Sequence, residues 1–224
     1  MALPLLGSPE EESILSNNIH LMTDIETMGT SPTAPVISIG AVLFDPLGHD
    51  TWEGLHKRAF LRTIDIEDAV KYSSGVEPAT LKWWLKQSDA AIKRLVEGDT
   101  TNAKQALMDL FSYAIERGPS SKLAEEYRKL PVPTCFWAHS PSFDYVILQQ
   151  ATKATGLMWP FFFSWWRDTR TLFDVAWPNG PEDRPKTNDG VHHDARDDAV
   201  AQALLVQAAH QALGLSPPAA EFLP

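Results

Sequence analysis

Two apolar segments near the N-terminus constrain this chain more than any other feature. Ile19 to Thr23 and Val36 to Phe44 are rich in β-branched and large apolar residues, contain no Asp, Glu, Lys or Arg, and flank a loop of Gly, Ser and Pro. Runs of this length bounded by turn residues read as central strands of a sheet. DPLGHD at 45–50 is a turn signal, and Thr51 to Ile64 then reads as a third strand. Three early strands with short connections predict an antiparallel start.

After Gly75 the pattern turns helical. Pro78 suits the first turn of a helix through ATLKWWLKQ. Ser88 can cap a second, DAAIKRLVE. A third, from about Asn102 to Arg117, spaces Ala106, Leu107, Leu110, Phe111 and Ala114 along one face and stops at Gly118-Pro119. A short apolar strand, TCFWAH, follows, then a helix from about Ser142 to Ala154 and a short one near Thr169 to Ala176 with Asp168 as its cap. Residues 178–190 combine Pro, Gly and charge and read as a mobile loop. The last helix runs from about Asp194 to Leu213 and ends at Gly214. Strands first, then alternating helices and strands, predict an α/β domain: a mixed sheet with an antiparallel start and later parallel strands, flanked by helices. The expected layout is one domain over 18–213, with tails at 1–17 and 214–224.

With 224 residues, 44% of them hydrophobic, the chain can bury a substantial core. Its one cysteine, Cys135, lies in the TCFWAH segment and reads as a packing residue. The N-terminal apolar run lacks a basic flank, so no signal peptide is expected. No apolar stretch approaches the roughly 20 residues needed to span a bilayer, and the expectation is a soluble, intracellular protein with no membrane partner. Nineteen basic and 29 acidic side chains give a formal charge of −10. That argues against sequence-independent binding along a duplex, but a carboxylate-rich centre that recruits divalent cations would itself raise the acidic count.

Three patches carry chemistry. Asp24 and Glu26 lie two residues apart at the end of the first strand, so alternation puts both on one face. Such a pair resists ionisation unless cations compensate it, which suits a metal site; an acidic turn closing a strand is the plain alternative. Asp144 follows the TCFWAH strand in the first turn of a helix, where it serves either that site or the helix dipole. The third patch is His193-x-Ala-x-x-Asp198-Ala. Were both His193 and Asp198 helical they would point about 140° apart. Cooperation therefore places His193 in the approach to the helix, where a base can meet substrate, whereas an acidic helix start with exposed histidines is the alternative.

In order and chain position the three patches resemble the three motifs of the DEDDh group of 3′→5′ exonucleases within the ribonuclease-H-like fold. DIETMGTSPTAPVISIGAVLFDP, TLKWWLKQS, WRDTRTL and the terminal His-x-Ala-x-x-Asp-Ala are most similar to the phage and bacterial branch of exodeoxyribonuclease-VIII-like proteins and 3′→5′ exoribonucleases, over roughly residues 18–213. One departure is visible. Members of the wider group often carry Asn four residues before the middle Asp, where this chain has Ser140. His192 with Asp197 forms a second register, but only His193 with Asp198 reproduces the flanking alanines.

The resemblance implies Asp24, Glu26, Asp144 and Asp198 as ligands of two Mg²⁺ or Mn²⁺ ions, His193 as general base, and nucleoside 5′-monophosphates as products. The implied partners are 3′ ends of single-stranded RNA or DNA, with RNA favoured, in the cytoplasm of a bacterial cell or phage-infected host. Thr27 and Met28 are implied to meet the terminal sugar and base through backbone amides and an apolar side chain. Ser140 is a further candidate contact. Trp83 or Trp84 can stack a base, with at least one of the two in the core. Arg167, Arg170 and above all Lys186 are candidates for phosphate. The aromatic run 159–166 reads as packing or the contact of a homodimer. A catalytically silent binding module on the same fold is the rival reading.

Overall fold

The computed structural model describes residues 19–96, 98–116, 135–187 and 190–216. The expected tail at 1–17 and the C-terminal one from 217 onward lie outside them. Among the described residues six strands form one mixed sheet. They are β1 (His20–Thr27), β2 (Val36–Phe44), β3 (Phe60–Ile64), β4 (Thr100–Thr101), β5 (Cys135–Ala138) and β6 (Trp166–Asp168), in the order β4-β3-β2-β1-β5-β6. β1, β2 and β3 pair antiparallel, whereas β5 runs parallel to β1 and β6 parallel to β5. The antiparallel start and the later parallel strands are thus both present.

Among the described residues eight α-helices flank the sheet: α1 (Trp52–Arg58), α2 (Ile66–Lys71), α3 (Pro78–Trp84), α4 (Asp89–Val96), α5 (Ala103–Glu116), α6 (Pro141–Ala154), α7 (Thr169–Ala176) and α8 (Ala195–Ala212). Strand alternation divides the core in two. Leu21, Ile25, Ile37, Ile39 and Phe136 face Leu107 and Leu110 of α5 and Ile147 and Leu148 of α6. Met22, Val42 and Phe44 point the other way, toward Leu55 of α1, Phe173 of α7 and the Ala199, Val200, Ala203 and Val206 face of α8. Cys135 is buried in the second cluster, in the packing role expected of it.

The segment Thr51 to Ile64 differs from expectation. Thr51 accepts a hydrogen bond from the Gly54 amide and caps α1, so only Phe60–Ile64 is strand. Trp52 and Leu55 are three apart, helical spacing that the β-rich reading of this segment overlooked. Other boundaries agree closely: β2 is Val36–Phe44 as expected, Ser88 Oγ accepts from the Ala91 amide at the start of α4, and Asp168 caps α7. α6 begins at Pro141, with Ser140 in the cap position in place of a start at Ser142. α2, β4 and β6 were not anticipated, because six, two and three residues are too few to carry a period. The loop expected at 178–190 contains a 3₁₀ turn at Pro181–Asp183, and its residues 188 and 189 are not described. No described helix is long and apolar enough to cross a membrane.

Candidate active site

β1 carries Asp24 and Glu26 on the same face as Met22, the face covered by α8. Register explains why α8 can come so close. Gly40 of β2 pairs with Asp24, and a Cβ at Gly40 would collide with the backbone of Ala195, the first residue of α8. The bare glycine lets the start of the helix sit directly on the sheet beside Asp24. The first turn of α8 then brings Asp198 into reach, and carboxylate oxygens of Asp24, Glu26 and Asp198 lie within 4.8 Å of one another. Asp144, only 5% exposed, enters from the first turn of α6, where its amide donates to the Ser140 carbonyl at 3.0 Å.

Burial raises the pKa of all four acids, and at Asp24 and Glu26 repulsion from the neighbouring carboxylates adds to it. Burial, then the charges of Glu26, Asp144 and Asp198, raises Asp24 well above the carboxylate range. Glu26 is pushed up to about 9 by burial and by Asp198, Asp144 and Asp194. Asp144 is pushed up to about 7 by burial, against opposing backbone hydrogen bonds and the Arg170 charge. Burial also raises Asp198. Converging hard oxygen donors with this much uncompensated negative charge fit divalent cations such as Mg²⁺ or Mn²⁺.

His193 lies outside the helix, two residues before α8, with φ at 67°, the only positive value among the described non-glycine residues. A left-handed conformation is unfavourable for a side chain of this size. It is held by the His193 amide, which donates to Asp198 Oδ2 at 2.9 Å. The ring puts Nδ1 4.0 Å from Glu26 Oε1 and meets Trp83 edge to face at 4.7 Å. Burial lowers its pKa below the usual histidine value, as does His192, while Asp198 opposes them. His192 stacks on His193 at 3.9 Å but is exposed, with Nδ1 3.4 Å from Asp198 Oδ1. The alternative register is not formed. Asp197 is buried, accepts from the Val191 amide at 2.8 Å and lies 3.0 Å from His56 Nε2.

The expected substrate contacts divide. Trp83 is exposed beside His193, whereas Trp84 is buried and its indole donates to the Thr27 carbonyl at 2.9 Å. Thr27 is buried and its hydroxyl donates to the Gly29 carbonyl. Met28 is buried too, and its amide donates to the Pro35 carbonyl at 2.9 Å. The Met28 amide thus closes the 28–35 loop in this structure. Ser140 sits at the cap of α6 with its side chain making no capping bond. Arg170 acts electrostatically on Asp144, but Arg167 turns to the carbonyls of Ser164 and Trp166. Lys186 is exposed, next to Thr187, which lines a cleft of about 230 Å³ shared with His192 and Asp198. In the aromatic run, Phe161 is buried and Trp159, Trp165 and Trp166 pack against the core, while Phe162 and Phe163 are exposed.

Two features escaped sequence reasoning. Gln202, one turn beyond Asp198, donates to Asp24 Oδ1 at 2.9 Å; its i+4 spacing was the available signal. Asp194 caps α8 and pairs at 3.1 Å with Arg94 of α4, a long-range contact with no local signature.

Residues 19–210 match the family model of the 3′-5′ exoribonuclease Rv2179c-like domain. Among solved structures, the nuclease domain of 3'hExo, a DEDDh family member bound to rAMP, superposes with a TM-score of 0.56 at 13% identity, covering 89% of this chain and 95% of that one. The zinc-bound E. coli ExoI–ssDNA complex gives a TM-score of 0.56 at 13% identity over 87% of this chain, and the complex with a dT13 oligonucleotide gives 0.56 at 13% over 88%. This chain spans only 40% and 42% of those two chains. No curated protein sequence matches it. The fold is shared with the 3'hExo nuclease domain and with ExoI, and with its match over residues 19–210 the chain belongs to the 3′-5′ exoribonuclease Rv2179c-like domain family.

Proposed function

We propose that this chain removes nucleotides from the 3′ end of single-stranded nucleic acid, RNA in preference to DNA, and releases nucleoside 5′-monophosphates with two bound divalent cations. The observation that carries this reading is the convergence of Asp24, Glu26 and Asp198 beside a histidine held off the helix. Asp24, Glu26, Asp144 and Asp198 would hold Mg²⁺ or Mn²⁺, which when bound lowers the pKa of water and neutralises charge on the phosphate. His193, with its pKa below the usual value, is neutral at pH 7 and able to accept a proton. The water oxygen bonds to phosphorus as the bond from phosphorus to the departing 3′ oxygen breaks. The water's proton goes to the imidazole, and the 3′ oxygen is protonated from solvent.

Trp83 offers a ring face beside His193 on which a base can stack. Ser140, whose side chain makes no capping bond to α6, is assigned a polar contact with the substrate, and Lys186 and Arg170 are the cations we assign to phosphate, supported by the exposure of Lys186 and the electrostatic effect of Arg170 on Asp144. Exposed Phe162 and Phe163 precede edge strand β6 and are the surface we assign to a homodimer. The RNA preference draws support from the family's description and from rAMP in the 3'hExo structure; the ExoI complexes hold DNA.

Matched 5′-labelled RNA and DNA single strands with Mn²⁺ test the proposal. Expected is a ladder shortening from the 3′ end, faster on RNA, absent with EDTA, and accompanied by mononucleotides. Equal rates on both strands would remove the RNA preference, and internal cuts would overturn the exonuclease reading.

A further inference from the structure

We infer that Gln202 is a positioning residue that holds Asp24 in its cation-binding orientation. The inference rests on reading Asp24 as a cation ligand. α8 carries Asp198 and Gln202 one turn apart on the same face, so one helix supplies both a ligand and the support for another ligand on β1. Gln202 Nε2 donates to Asp24 Oδ1 at 2.9 Å. Only the amide's NH₂ end can face an ionised carboxylate, which fixes the orientation of both side chains. A bond to one oxygen restricts rotation of the carboxylate, which otherwise turns away from Glu26 and Asp198 to relieve repulsion.

The other end of the amide separates this role from a structural one. Gln202 Oε1 is buried and accepts no hydrogen bond from the described residues. Gln207, on the same helix, shows what a structural glutamine does here: its Nε2 donates to the Asp45 carbonyl and to Asp50 Oδ2, and its Oε1 accepts from the Asp50 amide. Every polar group of Gln207 is consumed in tying the 45–50 turn to α8. Among the described residues the side-chain hydrogen bond of Gln202 goes to Asp24 of the acidic centre, and its remaining acceptor suits a water in the shell of a cation held there.

Calorimetric titration of Mn²⁺ into the metal-free full chain tests the inference, comparing the wild type with Gln202→Met, which keeps the length and helix propensity of the side chain without its hydrogen bond. Expected is Mn²⁺ binding weaker by about 10- to 100-fold, a metal-free melting temperature near that of the wild type, and activity that recovers at high Mn²⁺. Gln202→Leu serves if the Met variant does not fold. Unchanged Mn²⁺ affinity overturns the inference, as does a lower melting temperature alone or failure of both variants to fold, since these make Gln202 structural. Absence of Mn²⁺ binding by the wild type is a different result, and overturns the cation reading itself.

Discussion

His193 and His192 are adjacent and stacked, yet their surroundings assign them different work. His193 is partly buried between Trp83 and Glu26, while His192 is exposed, with its Nδ1 3.4 Å from Asp198 Oδ1. Removing a general base costs about 10² to 10⁴ in rate, so His193→Ala should lose activity on that scale and His192→Ala less than tenfold. Steady-state rates on a 5′-labelled strand measure the ratio, and equal losses would mean that the base is misassigned. For the acids the expectation has two parts. Asp24→Asn or Asp198→Asn should abolish turnover, because each removes a ligand charge at nearly constant volume, and should leave the metal-free protein as stable or more so, because each relieves repulsion. Thermal melting beside an activity assay checks both, and near-normal hydrolysis by either variant would remove that residue from the site. The strand's period of two puts Asp24 and Glu26 on one face, but their reading as one site with Asp144, His193 and Asp198 comes from the resemblance of the three patches in order and chain position, since each patch taken alone has a plain structural reading. The commitment of the Met28 amide to Pro35 was not legible, since a hydrogen bond across a loop leaves no mark on composition.

At the level of elements, the site depends on how closely α8 seats on the sheet. Gly40 makes that seat, and Gly40→Ala would drive a methyl into the Ala195 backbone rather than into a movable side chain. Overpacking of this kind costs about 1–3 kcal/mol, and here the strain falls on the residue that starts the helix bearing Asp198. The variant should therefore lose both stability and activity in parallel; urea unfolding with a rate assay decides it, and wild-type activity in a destabilised protein would show that the helix start does not set the site. Strands and long helices were readable because their buried faces repeat over eight or more residues, as in β2 and α5. The stretch 51–64 was misread because α1 offers only two apolar residues, Trp52 and Leu55, before β3 begins, so the capping Thr51 was the stronger signal. The pairing of Gly40 with Asp24 needed the register, which the sequence does not spell out.

For the whole molecule, buried acids without cations make stability depend on pH, and the sign can be worked out. Glu26 has an ordinary value of 4.5 and is raised to about 9 in the fold. Between those limits the folded chain holds a proton that the unfolded chain has released, so stability falls as pH rises through that window and is fully present only below it. Asp24 is raised in the same sense, and Asp144, raised to about 7, contributes over the lower part. The buried histidines act oppositely. His20, lowered to about 4 by burial and accepting a hydrogen bond from the Trp137 indole, stabilises the fold above its ordinary value of 6.5 and loses that contribution as pH falls. Because His20 is lowered to about 4, its contribution is already complete by pH 7, and between pH 7 and 9 the raised acids set the expected slope. The metal-free chain should accordingly melt lower at pH 9 than at pH 7, by about 2–4 °C for each kcal/mol lost. Mn²⁺ competes with the protons for the same oxygens, so its stabilising effect should grow over that range. Glu26→Gln should flatten the metal-free slope. Melting curves at pH 7, 8 and 9, with Mn²⁺ and with EDTA, make the test. A metal-free melting temperature that rises across this range in the wild type, or a slope that Glu26→Gln leaves unchanged, would show that the carboxylates at the end of β1 do not carry the burial and crowding on which the proposed chemistry depends.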